Sequence, residues 1–213
     1  MVTIVDYGSG NINAITNIYE LLKIPVSVAT KPSELKDAEK IILPGVGSFD
    51  YCMSKLNNSG LKEVLNRKVI EDKTPVLGIC IGLHIMARES EEGKLPGLGW
   101  IDGYVKKFDE SKLVFRPKLP HMGWNSIQVK AMPELFKGVN HEHGFYFIHS
   151  YYIELINKED IMTITNYEND FVSGINRANI CAVQFHPEKS QTKGIRLIEN
   201  FLSYAVSYKE NLC

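Results

Sequence analysis

The chain has 213 residues and a mass of 24.1 kDa, enough for one large α/β domain. Hydrophobic residues at 44% and charged residues at 23% exclude wholesale disorder. Lys and Arg number 24 against 25 Asp and Glu, and this formal charge of -1 argues against a general polyanion-binding surface.

In chain order, residues 1–6 lack the basic start of a secretory signal and read as a first strand. The turn-rich stretch Tyr7-Gly8-Ser9-Gly10-Asn11 follows, and then Ile12, Ile15, Ile18, Tyr19 and Leu22 recur at helical spacing. Residues 25–28 and 40–43 are apolar β runs, the second closed by Pro44-Gly45-Val46-Gly47. Residues 61–72 predict an amphipathic helix with Leu61, Val64, Leu65 and Val69 on one side. Residues 76–79 enter another turn. Strands separated by helices in this way predict βαβ units and a largely parallel sheet.

The second half changes character. Residues 100–108, 124–129, 145–152, 161–166, 171–176 and 180–185 are strand-like segments rich in aromatic and β-branched side chains. Short turns between them predict a mainly antiparallel or mixed extension. A last helix over roughly residues 193–207 turns Ile195, Ile198, Leu202 and Ala205 inward. With no linker, repeat or charge block, residues 1–213 read as one domain. The apolar runs at 40–44 and 75–83 are far below the ~20 residues of a membrane-spanning helix. Cys52, Cys80, Cys181 and Cys213 show no paired spacing, which suits free thiols in a cytoplasmic protein.

The sharpest local signal is Gly78-Ile79-Cys80-Ile81-Gly82, running from a strand into a helix. It is the nucleophile-elbow pattern with cysteine in place of serine. Glycines two residues either side permit a tight turn, and the helix start favours a thiolate there. A cysteine nucleophile needs a base, and the base an orienting partner. His186-Pro187-Glu188, just past an apolar strand, supplies both. The Gly45-Val46-Gly47 turn is able to aim a backbone N–H at a developing oxyanion; a plain βα turn fits those residues equally well.

Together these segments resemble the class I, triad-type glutamine amidotransferases. Asp6-Tyr7-Gly8-Ser9-Gly10-Asn11, Leu119-Pro120-His121-Met122-Gly123-Trp124-Asn125 and Phe147-Ile148-His149-Ser150-Tyr151 are similar, more narrowly, to the glutaminase-subunit family of imidazole glycerol phosphate synthases. The resemblance runs from residue 2 to about residue 203. It implies a three-layer α/β/α sandwich whose mixed, mainly parallel central sheet carries an antiparallel extension. It also implies glutamine hydrolysis, with ammonia passed to a (β/α)8-barrel synthase subunit in a heterodimer. By position, Cys80, His186 and Glu188 would form the triad and Gly45, Val46 and Gly47 the oxyanion strand, held unproductively until the partner's ligand binds. His84, Ser150 and Tyr151 would meet the substrate. Asn11, Pro120, Met122, Trp124 and Lys189 would fall at the subunit interface. The family's helix after the elbow reads Gly-Met-Gln where this chain has Gly82-Leu83-His84. No metal or organic cofactor is expected. Two other readings stay open: a related glutaminase supplying ammonia to a sugar nucleotide, and a partner subunit that has lost glutamine turnover.

Other signals are weaker. Gly8-Ser9-Gly10 lacks the third glycine of a dinucleotide fingerprint, because position 13 is Asn13. His141-Glu142-His143 has no accompanying ligand pattern and reads as an exposed loop. Packing suffices for Cys52 and Cys181, and the aromatics of residues 100–108 have no basic stripe that would suit nucleic acid.

Overall fold

A computed structural model describes residues 1–112, 118–139 and 144–203. The first half alternates as its periodicity predicts: β1 (Val2–Val5), α1 (Ile12–Leu21), β2 (Val26–Ala29), β3 (Lys40–Gly45), α2 (Phe49–Asn58), α3 (Leu61–Asn66), β4 (Val76–Cys80) and α4 (Ile81–Ile85). Then come β5 (Glu89–Ser90), β6 (Gly103–Lys107), β7 (His121–Asn125), β8 (Gln128–Val129), β9 (Phe145–His149), β10 (Tyr151–Leu155), β11 (Ile161–Tyr167), β12 (Asn169–Arg177), β13 (Ile180–Val183) and α5 (Gln191–Leu202).

The main sheet runs β2-β1-β3-β4-β13-β12-β10-β6-β5, with β11 and β8 added beside β12. The five strands from β2 to β13 are mutually parallel, and antiparallel pairing begins at β13–β12. Strands β1, β4 and β13 are buried along their whole length, which is why they read as unbroken apolar runs. Helices flank the sheet in two groups, α1 with α5 and α2 with α3 and α4. The result is an α/β sandwich with a mixed sheet, parallel from β2 to β13 and mainly antiparallel beyond, rather than mainly parallel throughout.

Five predicted elements differ in detail. The helix expected over 61–72 is α3 followed by a π-helical turn, closed by an Asp72 N–H donating to the Arg67 carbonyl. The run 145–152 is two strands broken at Ser150: β9 pairs with β7 in a two-stranded sheet, and β10 enters the main sheet beside β6 and β12. Residues 124–129 likewise divide, β7 pairing with β9 and β8 with β11. Trp100 precedes β6 rather than opening it, buried with its indole N–H donating to Asn66 Oδ1. In α5 the buried positions are Lys193, Gly194, Leu197, Ile198 and Phe201, with Ile195 and Leu202 at the margin of the core. Ala205, Cys213 and the loop His141-Glu142-His143 lie outside the described residues.

The turn between β4 and α4 carries a strict steric constraint. Cys80 takes φ 54°, ψ -109°, a left-sided conformation that costs a residue with a Cβ roughly 1–3 kcal/mol. Directly after it, a Cβ on Gly82 would overlap the Leu43 carbonyl oxygen of β3, a backbone atom that cannot move aside. A Cβ on Gly78 would come within 2.8 Å of both Ala182 Cβ and Met86 Cε. The helix therefore leaves the sheet at the only angle that glycine permits. Gly82→Ala is expected to destabilise the fold by about 3 kcal/mol, read as a lowered midpoint in urea unfolding; an unchanged midpoint would show that the turn has room.

Candidate active site

Carboxyl ends of the parallel strands meet above β3, β4 and β13, where open α/β sheets bind ligands. A cavity of about 440 Å3 opens there. Its wall includes Cys80 and His186, together with Val46, Gly47, His84, Ser150 and Tyr151. Glu188 stands just behind. Asn11, Pro120 and Lys189 also line the cavity, whereas Met122 and Trp124 do not.

His186 follows β13 and is held by its neighbours. Its Nδ1 lies 2.7 Å from Glu188 Oε1, and the pair is almost fully buried. Cys80 lines the same cavity as the ring. Burial opposes charge on the imidazole, but interaction with Cys80, followed by that with Glu188, raises its pKa to about 10. Burial would likewise raise Glu188, yet the bond and charge of His186 and the amide of Asn11 hold it below the ordinary carboxylate value. Asn11 Nδ2 donates to Glu188 Oε1 at 2.6 Å. This places a residue expected at the subunit interface directly behind the histidine–carboxylate pair as well.

Val46 is engaged elsewhere. Its N–H donates to Ser9 Oγ at 3.0 Å, and the Ser9 hydroxyl lies 2.8 Å from the Val46 carbonyl oxygen. Cys52 Sγ joins the cluster, 3.2 Å from Ser9 Oγ and 3.3 Å from the Val46 carbonyl. Cys52 thus does more than pack. One hydroxyl serves both backbone groups of Val46, so the N–H is already engaged. Ile81, in the first turn of α4, has an N–H with no acceptor within its own helix.

His84 is 1% exposed, and its Nε2 lies 2.7 Å from Gln184 Oε1. The Gln184 amide nitrogen in turn sits 3.9 Å from Cys80 Sγ. Because Oε1 only accepts, His84 carries its proton on Nε2, leaving Nδ1 bare and without a partner. Burial lowers its pKa to about 4. Glu92 also faces the cavity, and sequence reasoning missed it. It follows two other acidic residues in Glu89-Ser90-Glu91-Glu92, so nothing in its spacing sets it apart. Its carboxylate accepts the Phe49 N–H at the start of α2. Burial raises its pKa.

The β7–β9 ribbon borders the cavity with two unlike faces. Met122 and Ile148 pair across it, and with Trp124 they are 60%, 37% and 45% exposed. His121 and His149, the neighbouring pair in register, point inward and are buried. Lys193 Nζ lies 5.3 Å from the Trp124 ring centre and Lys189 Nζ 5.7 Å from that of Tyr146. Among the described residues no group of three or more His, Cys, Asp or Glu side chains could hold a metal ion, and no helix is long and apolar enough to cross a membrane.

A family model for class I glutamine amidotransferases matches residues 3–204. The chain belongs to that family. Two similar relatives are imidazole glycerol phosphate synthase subunits HisH, from Leptospira borgpetersenii (46% identical, 95% of this chain and 100% of the relative) and Bdellovibrio bacteriovorus (47%, 94% and 98%). Among solved structures, a glutamine amidotransferase superposes with a TM-score of 0.73 at 19% identity, covering 95% of this chain and 97% of the other. The PurLQS structure from Thermotoga maritima does so at 0.70 and 17%, with the same coverage. At such identity these two structures speak for the fold alone.

The amidotransferase's buried histidines set its pH response. His84 and His121 have folded pKa values near 4, and burial, then the charge of His121, drives His149 well below 6.5. Unfolded, each would take a proton below about pH 6.5. Stability should therefore fall as pH drops from 6.5 toward 4, by about 1.4 kcal/mol per pH unit for each proton taken up. His186 acts oppositely: its raised pKa gives stability that is full below 6.5 and lost as pH rises toward about 10. Thermal melts across pH 4–10 are expected to peak near neutrality and fall on both sides; a flat acid limb would mean that the three rings are charged in the folded state.

Proposed function

We propose that this amidotransferase hydrolyses glutamine through Cys80, His186 and Glu188 and passes the ammonia to a (β/α)8-barrel synthase subunit of histidine biosynthesis. The observation that carries the reading is one cavity in which a strained cysteine meets a histidine whose far nitrogen is bonded to a buried carboxylate. The names of the similar HisH subunits support the pathway.

In this mechanism Cys80 Sγ attacks the side-chain carbonyl of glutamine, and the oxyanion rests on the Ile81 N–H and on a donor from Gly45–Gly47. His186 protonates the departing ammonia, then takes a proton from the water that hydrolyses the glutamyl thioester. Glu188, held by Asn11, keeps the ring oriented and offsets its charge. Glu92 suits the substrate's α-ammonium, with Ser150 and Tyr151 along its backbone. His84 lines the cavity with its Nε2 spent on Gln184, and its unpartnered Nδ1 is at most an acceptor, where an amide would offer both donor and acceptor.

The partner docks on the exposed face of Met122, Trp124 and Ile148, with Pro120 and Lys189 at its rim. An apolar, aromatic patch beside a catalytic mouth suits a subunit that must receive ammonia before water does. In the idle chain Ser9 occupies the Val46 N–H, so the oxyanion lacks one donor; docking is expected to turn that peptide over.

Two experiments test this. Cys80→Ala should abolish glutamine-dependent synthesis in the complex yet leave synthesis from ammonium salts intact. Glutamine turnover near the wild-type rate would remove Cys80 as nucleophile. Ser9→Ala should release the Val46 peptide and raise glutaminase activity of the isolated chain by roughly tenfold, the equivalent of one lost hydrogen bond. An unchanged basal rate would mean that Ser9 does not hold the switch.

A further inference from the structure

His121 and His149 form a hydrogen-bonded pair that the chemistry above does not use. His121 Nδ1 lies 2.9 Å from His149 Nε2. His149 Nδ1 lies 2.8 Å from the Tyr151 carbonyl oxygen, and His121 Nε2 lies 3.1 Å from the Asn125 amide nitrogen. Asn125 Nδ2 also donates to the Asn166 carbonyl, so it is the NH2 end of that amide, while its Oδ1 accepts the Ser126 N–H.

Both ends of this chain are chemically fixed. A backbone carbonyl only accepts, so His149 must carry a proton on Nδ1, leaving Nε2 bare. An amide NH2 only donates, so His121 must be bare at Nε2 and protonated at Nδ1. The two requirements agree, and the bonds run Asn125 to His121 to His149 to Tyr151. A further proton on either ring would set two donors face to face. The His121 ring is also stacked between Phe147 (centres 4.8 Å apart) and Tyr167 (4.1 Å), so it has little freedom to turn.

The chain spans two parts of the molecule that no ladder joins. His121 and Asn125 lie on β7, whose other face carries Met122 and Trp124. Tyr151 opens β10, in the main sheet, and together with Ser150 lines the cavity. Between β9 and β10 the backbone breaks at Ser150, and the His149 bond to Tyr151 closes that bend. The Ser150 carbonyl is tied separately to the Phe108 N–H.

We propose that His121 and His149 are positioning residues for glutamine binding: through them the docking strand β7 sets where the Ser150–Tyr151 segment stands. Displacement of β7 by a partner on its outer face is passed to the substrate wall by three directional bonds rather than by loose packing. The inference rests on the reading of this cavity as the glutamine site.

The test uses the full chain in complex with its barrel partner. His121→Phe keeps the ring volume and the stack but removes both nitrogens, whereas His121→Asn restores an amide N–H near the position of Nδ1. The Phe variant is expected to raise KM for glutamine about fivefold, the loss of one neutral hydrogen bond, with kcat within about twofold. The Asn variant should recover most of that affinity, and ammonium-dependent synthesis should be equal in all three proteins. Unchanged KM in His121→Phe, or equal rises in both variants, would overturn the proposal. A second measurement needs no variant: 15N NMR of histidine-labelled wild-type chain at neutral pH should show both rings neutral and protonated on Nδ1. A proton on Nε2 of either ring would reverse the chain and overturn the inference. That readout stands even if the wild-type complex proves to have no glutaminase activity, a result that would count against the function and not against this arrangement.

Discussion

The approach of Gly82 to the Leu43 carbonyl is the constraint on which the active site depends. It seats α4 against β3, and that seating throws Cys80 into a left-sided conformation at the tip of β4. From there the sulfur faces the end of β13, because β4 and β13 are adjacent and parallel and their carboxyl ends coincide. His186 then needs only to follow β13. Strand order, more than any local preference, brings Cys80 and His186 to one cavity.

The polar contacts around the site have a common logic. Each group of the candidate site is held by a neighbour: His186 by Glu188, Glu188 by Asn11, Val46 by Ser9. All of these holders lie in loops at the carboxyl ends of strands, mounted on a sheet whose central members are buried on both faces. Rigid scaffold and adjustable rim are thus separated, and the Val46 peptide, tied by a single hydroxyl, belongs to the rim.

Much of this was legible in the sequence, for identifiable reasons. The elbow and the His-Pro-Glu turn are local patterns, each compressed into a few residues with its own steric or electrostatic purpose. The parallel half of the sheet announces itself by apolar runs alternating with 3.6-residue periodicity. The breaks were hidden. Residues 145–152 alternate like one strand because β9 and β10 each do, and the break at Ser150 comes from a side-chain bond whose partners lie on either side of it. The division of 124–129 follows from Asn125, whose amide reaches Asn166, 41 residues away. Ser9 was readable as a turn residue but not as the holder of a peptide 37 positions downstream. Glu92 was masked by its acidic neighbours.

The strand order also has a consequence for how the chain is made. Strand β4 has β3 on one side and β13 on the other, and Gln184, at the end of β13, is 104 residues beyond Cys80. At synthesis rates of about 5–20 residues per second, the ribosome needs roughly 5–20 s to deliver the missing neighbour. Throughout that interval the most apolar strand of the nascent chain presents one open edge, the feature that invites pairing with other chains. Cys80 has already been made by then, without His186. Closure of the sheet and the meeting of Cys80 with His186 are therefore a single late event, reached only after the intervening strands have been made.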